Sequence, residues 1–374
     1  MQRDWFRNPI LTTHDRAVRQ GIVLAGAFSV LALALLHLVS GEPALPYSME
    51  MRHAAAIMDS AIAAIRDFRN KADLPIDDLV DPNRTGLIGA EYTELTTTLG
   101  DLAAKRTTTN PNVAALLVHL MNQAHVDPGD TVAIGCSASF PALMIASMSA
   151  ARAMRVVPIV ILSLGASSFG ANQPDFNLLH MYALLREQGI ITATPAAVSL
   201  GGEKDIGEEF APALRDRLIA QIERSGYPLI HEPDFQKNMT ARLALYQPDP
   251  TRGRIVAFIN IGGSAMNLGL SELALQLNPG IVKRGVLPQN AERGVIHVML
   301  DQGVPVIHLL YIRELASRYG LDWDPIPLPA PGEDILHDRN DAPDKKIVAI
   351  GLIYVAGLGV ISFRTWRRKK CFHE

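Results

Sequence analysis

Apolar residues run unbroken near both ends of this chain and fall into short periodic blocks between them. Residues 21–39 form a stretch of 19 without Asp, Glu, Lys or Arg. At about 1.5 Å of rise per residue, such a helix just crosses a hydrocarbon core of about 30 Å. Residues 347–363 give 17 more uncharged positions, interrupted by Gly351, Gly357 and Gly359. The pattern predicts transmembrane helices at 21–39 and 347–363. It leaves 1–20 as an N-terminal segment, 40–346 as one globular domain and 364–374 as a basic tail.

Between the spans the pattern becomes that of an α/β domain. Ala54, Ile57, Met58, Ala61, Ile62 and Ile65 recur close to the helical period, which predicts a helix over 53–68. Further helices are predicted at 92–104, 110–124, 141–154, 178–188, 210–225 and 234–246. Short apolar runs predict strands at 131–134, 156–162, 189–193, 227–230, 254–259, 295–300 and 304–310. The stretch 73–84, DLPIDDLVDPNR, reads as an exposed loop. The Pro- and Asp-rich stretch 321–343 reads as an extended return to the membrane. Strands alternating with helices imply a mostly parallel sheet with helices on both faces.

Charge sets the expected orientation. Arg3, Arg7, Arg16 and Arg19 precede the first span; Arg364, Arg367, Arg368, Lys369 and Lys370 follow the second. Basic flanks stay in the cytoplasm. Both termini are therefore expected there, with the central domain outside. A cleaved signal peptide is the competing account of the first span. A leader of 20 residues before it, and no clean A-x-A site after it, argue against cleavage. Over the whole chain, 35 Lys and Arg face 38 Asp and Glu, a net charge of -3. No excess of positive charge is present to gather phosphates, so a generally basic nucleic-acid binder is excluded. Only 20% of residues are charged against 48% apolar, which agrees with segments in lipid. Two cysteines far apart, Cys136 and Cys371, exclude a disulfide scaffold and a cysteine-built metal centre.

The candidate chemistry lies in loops. The predicted strands at 131–134, 156–162 and 254–259 run into GCSASF, SLGASSFGAN and NIGGSAMNLG, and a fourth loop, SLGGEKD, begins at Ser199. In open α/β sheets ligands sit beyond the carboxyl ends of strands, so the four loops are expected to share one cleft. The candidate ligand-binding residues are Ser137, Ser139, Ser167, Ser168, Asn172, Gly201, Gly202, Asn260, Gly262 and Gly263. Backbone N–H groups in such loops can hold a carboxylate or phosphate. None of the loops is a P-loop or a complete dinucleotide fingerprint. Asn172 and Asn260, in loops expected to meet, could hold an amide or carboxylate, or simply close the loops.

Ser137 and Ser139 stand between a strand and a helix, where a nucleophile would. The sequence there is G-C-S-A-S rather than G-x-S-x-G. His180, His231, His297 and His308 are the available bases, with Asp205 or Glu208 to orient one, and no spacing selects a triad. The structural alternative has the two serines capping the helix that begins at 141 and shaping a tight turn before it. Glu203, Asp205, Glu208 and Glu209 offer oxygen ligands to a divalent cation or mark a solvated helix start. No other cofactor is expected.

Taken together, DPNRTGLIG at 81–89, GCSASFPAL from Gly135, SLGASSFGAN, SLGGEKDIG and NIGGSAMNLG resemble the poly-gamma-glutamate system proteins. This is a bacterial family of membrane-anchored accessory proteins. The chain departs from the family pattern at Cys136, where a small residue is expected, and at Gly263-Ser264, in place of a more glycine-rich loop. The resemblance implies a pathway and transfers no catalytic residue. That pathway is the synthesis and export of an anionic, isopeptide-linked glutamate polymer at the cytoplasmic membrane. The implied partners are the polymer and the other membrane subunits of the synthase and export complex. An accessory or scaffold subunit is the first expectation. A hydrolase or transferase acting on gamma-glutamyl bonds outside the membrane, and a small-anion-binding domain, are the alternatives.

Overall fold

The computed structural model describes residues 9–39, 48–247, 253–333, 336–337 and 345–370. The chain divides into two units, one spanning Leu45–His337 and the other formed from the two ends.

The strands of the larger unit are β1 (Thr96–Thr98), β2 (Thr131–Ser137), β3 (Val157–Ser163), β4 (Ala166–Ser167), β5 (Ala197–Ser199), β6 (Leu229–Ile230), β7 (Ile255–Ile261), β8 (Gly280–Val282) and β9 (Val306–Leu309). Among the described residues, seven of them form one sheet in the order β6-β5-β3-β2-β7-β9-β8. Every pairing in it is parallel except β8 with β9. β1 and β4 pair separately.

The central strands explain the core. β2 is buried along its whole length. Its alternate side chains point to opposite faces, as the pleat requires. Val132, Ile134 and Cys136 join one core cluster and Ala133 joins the other. β7 repeats this, with Ala257, Ile259 and Ile261 on the first face and Phe258 on the second. The first face is covered by helices Met49–Lys71, Asn112–Gln123, Pro141–Met154, Leu178–Glu187, Pro212–Ser225 and Ile312–Tyr319. Helices Phe235–Leu245 and Val295–Asp301 cover the second.

Three predicted elements are corrected. Residues 295–300 are helical, not a strand. The buried positions Val295, Ile296, Met299 and Leu300 make a helical stripe that a short apolar run does not distinguish from a buried strand. Residues 189–193 form no strand. The N–H groups of Ile190 and Ile191 donate to the Leu185 carbonyl at 2.9 and 3.1 Å, ending the preceding helix, and the strand comes later as β5. The helix predicted over 92–104 is replaced by β1 and by helix Leu102–Thr108. That helix starts at Asp101, whose carboxylate accepts from the Ala104 N–H at 3.0 Å.

Residues 324–332 are strapped to the domain rather than merely extended, and the last part of the predicted return, 338–343, lies outside the described residues. Asp324 pairs with Arg106, whose Nε lies 2.6 Å from Oδ1. Farther along, Asn112 holds the Ala330 carbonyl and the Gly332 N–H.

The smaller unit contains helices Pro9–Val39 and Lys345–Lys370. They run antiparallel: Gly21 lies against Thr365, while Phe28 stacks on Tyr354 at 5.8 Å. Within them, Val18–Leu38 and Lys346–Arg367 are long and apolar enough to cross a membrane. Both show apolar side chains at their surfaces, such as Val23, Leu33, Leu352 and Val355. That exposure is compatible with a two-pass membrane protein.

Candidate functional site

The order of the strands places a crevice in the middle of the sheet. From β2 the chain adds β3, β5 and β6 on one side, then crosses to add β7 and β9 on the other. The connections therefore diverge between β2 and β7, the arrangement that opens a ligand crevice at the carboxyl ends. A cavity of about 1060 Å³ lies there. The loop after β2 lines it with Ser137 and Ser139, and the loop after β3 with Gly165 and Ser167. The loop after β5 adds Gly201, Gly202 and Glu203; the loop after β7 adds Gly263 and Ser264.

Close backbone approach explains much of the glycine in these loops. A Cβ on Gly170 would come within 2.8 Å of the Ala138 carbonyl oxygen, and the Ala171 N–H donates to that same oxygen at 2.8 Å. Gly201 has φ of +74°, and a Cβ there would lie 2.6 Å from the Gly165 nitrogen. Packing of one loop against the next thus accounts for residues that read, in sequence, as an anion cradle.

The remaining sequence candidates are turned into the protein. Asn172 is buried; its amide donates to the Ala90 carbonyl at 2.7 Å and to Thr96 Oγ1 at 2.9 Å. Asn260 is buried too and donates to the Gly262 carbonyl at 3.0 Å and to His308 Nδ1 at 3.1 Å. Each amide is engaged by its own neighbourhood, so the two do not form a joint clamp. Ser168 is buried facing the Thr98 carbonyl, and Gly262 sits against Ser137 rather than in the lining.

Asp205 belongs to a buried network. It accepts from Ser199 Oγ at 2.7 Å and from Asn238 Nδ2 at 3.2 Å, and it forms an ion pair with Arg242. Arg242 also donates to Ser199 Oγ at 2.8 Å and to Asn238 Oδ1 at 2.9 Å. Ser199 meets Ser163 at 2.8 Å, which ties the network to the carboxyl end of β3. Asp205 therefore neutralises an arginine, while Glu203 stays exposed at the cavity. Nearby, Glu208 pairs with Lys204 at 2.7 Å. Among the described residues no group of three or more His, Cys, Asp or Glu is gathered to hold a metal ion.

The serines do not cap the following helix. Its N-cap is Phe140, without a side-chain bond, and Pro141 occupies the first turn. Ser137 Oγ instead accepts from the Ser139 N–H at 3.2 Å, and Ser139 Oγ accepts from the Ser167 N–H at 3.0 Å. Among the described residues no histidine lines the cavity. His180 accepts from the Asn177 N–H, and His297 from the Gly294 N–H, each at the start of its own helix. Burial pushes His308 down to about 4. His231 is exposed just after β6. Among the described residues no serine–histidine triad is assembled at the cavity. Cys136, beneath these loops, is buried, and burial pushes its thiol up, so it stays protonated.

The residue that sequence reasoning missed is Lys105. It lies in helix Leu102–Thr108, is 3% exposed, and lines the cavity. Its ammonium donates to the Ser139 carbonyl oxygen and to Ser167 Oγ, the latter at 2.7 Å. It also lies 3.6 Å from the centre of the Phe140 ring. None of these three neighbours is a carboxylate. Burial lowers its amine to about 7, against a weaker opposing pull from Asp101. Around the same cavity, Asp101, Glu203, Glu209 and Glu314 are exposed. Arg313, also exposed, lies over the Trp323 ring at 4.2 Å.

The Lys105 shift has a thermodynamic consequence. Its folded pKa lies below the unfolded value of about 10.4, so the unfolded chain binds more protons between the two. Stability should rise as pH goes from about 7 toward 10, and the Lys105→Met variant should lack that part of the rise. Melting of the full chain in detergent across this range checks it. Identical pH slopes for the two proteins would refute the buried-amine assignment.

Comparisons with protein families, with curated proteins and with solved structures found no match.

Proposed function

We propose that this chain is a membrane-tethered accessory subunit of poly-gamma-glutamate synthesis and export. In this reading its outer domain holds the amino end of the polymer in the cavity between the ends of β2 and β7. The observation that supports the reading is the charge arrangement: a buried lysine, Lys105, which a bound carboxylate would hold in its charged form, and four exposed carboxylates around the same cavity, Asp101, Glu203, Glu209 and Glu314. A long run of polymer carboxylates would be repelled by those acids. A chain end differs, because its ammonium group matches the acidic mouth while one carboxylate reaches Lys105. The polymer itself comes from the resemblance of the loops to the poly-gamma-glutamate system proteins.

Two apolar helices long enough to cross a membrane support the tether. Because they run antiparallel, a bilayer crossed by both would leave both termini on one side. The basic flanks favour the cytoplasm for that side. The domain would then face the emerging polymer outside the cytoplasmic membrane.

Purification from native membranes under mild detergent tests this. The chain should copurify with the membrane subunits that make the polymer, and a reporter inserted near Asp78 should read extracytoplasmic. Recovery of the chain free of those subunits, or a cytoplasmic signal from the inserted reporter, would contradict the proposal.

A further inference from the structure

We propose that Ser167 and Lys105 form a nucleophile and general base for acyl transfer, acting on an amide or ester whose carbonyl enters the cavity. This goes beyond polymer binding and stands on the geometry of the pair, not on the identity of the polymer.

The backbone of Ser167 is fixed. It lies in β4, paired in register with Thr98 of β1. Its N–H donates to Ser139 Oγ at 3.0 Å, and its carbonyl accepts from the Gly170 N–H at 3.0 Å. Its side chain lines the cavity with Oγ 2.7 Å from Lys105 Nζ, within reach for direct proton transfer. Ser139 serves as a positioning residue, because its own hydroxyl oxygen already receives the Ser167 N–H and the Ser137 hydroxyl.

The surroundings of Lys105 suit a neutral amine as well as an ammonium ion. A neutral amine has two N–H bonds and one lone pair. The Ser139 carbonyl oxygen and the Phe140 ring face take the two N–H bonds. The lone pair is left for the Ser167 hydroxyl proton. At neutral pH a substantial fraction of the amine is in this form, since burial lowers it to about 7. Of the other ionisable groups around the cavity, Asp101 on the same helix favours the charged form. Glu203, Glu209, Arg313 and Glu314 reach the cavity from other segments.

The step balances without a metal or redox partner. Ser167 Oγ bonds to the carbonyl carbon, the carbonyl π pair moves to oxygen, and the hydroxyl proton passes to Lys105. The tetrahedral adduct collapses, the bond to the leaving nitrogen or oxygen breaks, and Lys105 returns its proton to that atom. Water or an amine then attacks the acyl-serine, again through Lys105, and frees Ser167.

A fluorophosphonate probe, applied to the full chain in detergent with the adduct mapped by peptide mass spectrometry, tests the pair. The expected adduct is on Ser167, with release of fluoride and a labelling rate that rises as pH passes through about 7. Ser167→Ala should abolish labelling, and Lys105→Met should slow it by about 10³-fold, within the range for loss of a general base. The pH profile of the unaltered protein tests the base independently, should Lys105→Met fail to fold. An adduct on Ser137 or Ser139, no adduct on protein with a native melting transition, or a rate insensitive to pH between 6 and 8 would overturn the proposal. The probe carries no glutamyl group, so failure here is distinguishable from failure of polymer binding.

Discussion

Replacing Asp205 by Ala should destabilise the domain by about 3–5 kcal/mol, the usual cost of leaving one member of a buried ion pair uncompensated. Arg242 is 1% exposed, and in the variant its guanidinium would keep only the neutral partners Ser199 and Asn238. Loss of the carboxylate should also loosen the loop after β5, because Asp205 accepts from Ser199, the last residue of that strand. Joint replacement with Arg242→Met should recover much of the loss, since an apolar pair carries no stranded charge. Denaturant unfolding of the two variants and the parent measures both effects. A change of less than about 1 kcal/mol in Asp205→Ala would show that the pair is not buried as described.

The second large effect is expected at Gly201. An alanine there must hold a left-handed backbone, and its Cβ would lie 2.6 Å from the Gly165 nitrogen. Strain of this type costs roughly 1–3 kcal/mol before any steric term. The loops after β3 and β5 would separate, so the damage should reach the cavity as well as stability. Gly129 provides the contrast. It has φ of +95°, but a Cβ there would find nothing within 4 Å, so alanine meets the backbone term alone. A melting temperature for Gly201→Ala no lower than that for Gly129→Ala would refute the close loop contact.

Parts of this arrangement are legible in the sequence because local and global signals agree. The run from Thr131, followed by Pro141 and an Ala- and Met-rich stretch, reads as a strand feeding a helix, and the structure has β2 and helix Pro141–Met154 there. The small, polar loops after β2, β3, β5 and β7 point to one edge of the sheet, where the cavity lies. The segment 295–300 misleads because a short, fully apolar run carries no period that separates a buried strand from a buried helix. Asp205 stands in an acidic row that looks solvated, and its partner Arg242 comes 37 residues later. Lys105 is illegible for the same reason. A lysine in a short helix ordinarily projects into water, and here its surroundings come from Ser139 and Ser167, 34 and 62 residues away. Burial of a charge by distant loops leaves no local mark on the residues around it.

The central claim is that the cavity over Lys105 receives a polymer end. Titration of the full-length protein in detergent with a short gamma-glutamyl oligomer, its amino end free or acetylated, tests it most directly. The free oligomer should bind. Acetylation should weaken binding by removing the ammonium group, and Lys105→Met should weaken it by removing the carboxylate's partner. Equal affinity for both oligomers, unchanged in Lys105→Met, would place the polymer elsewhere and contradict the account.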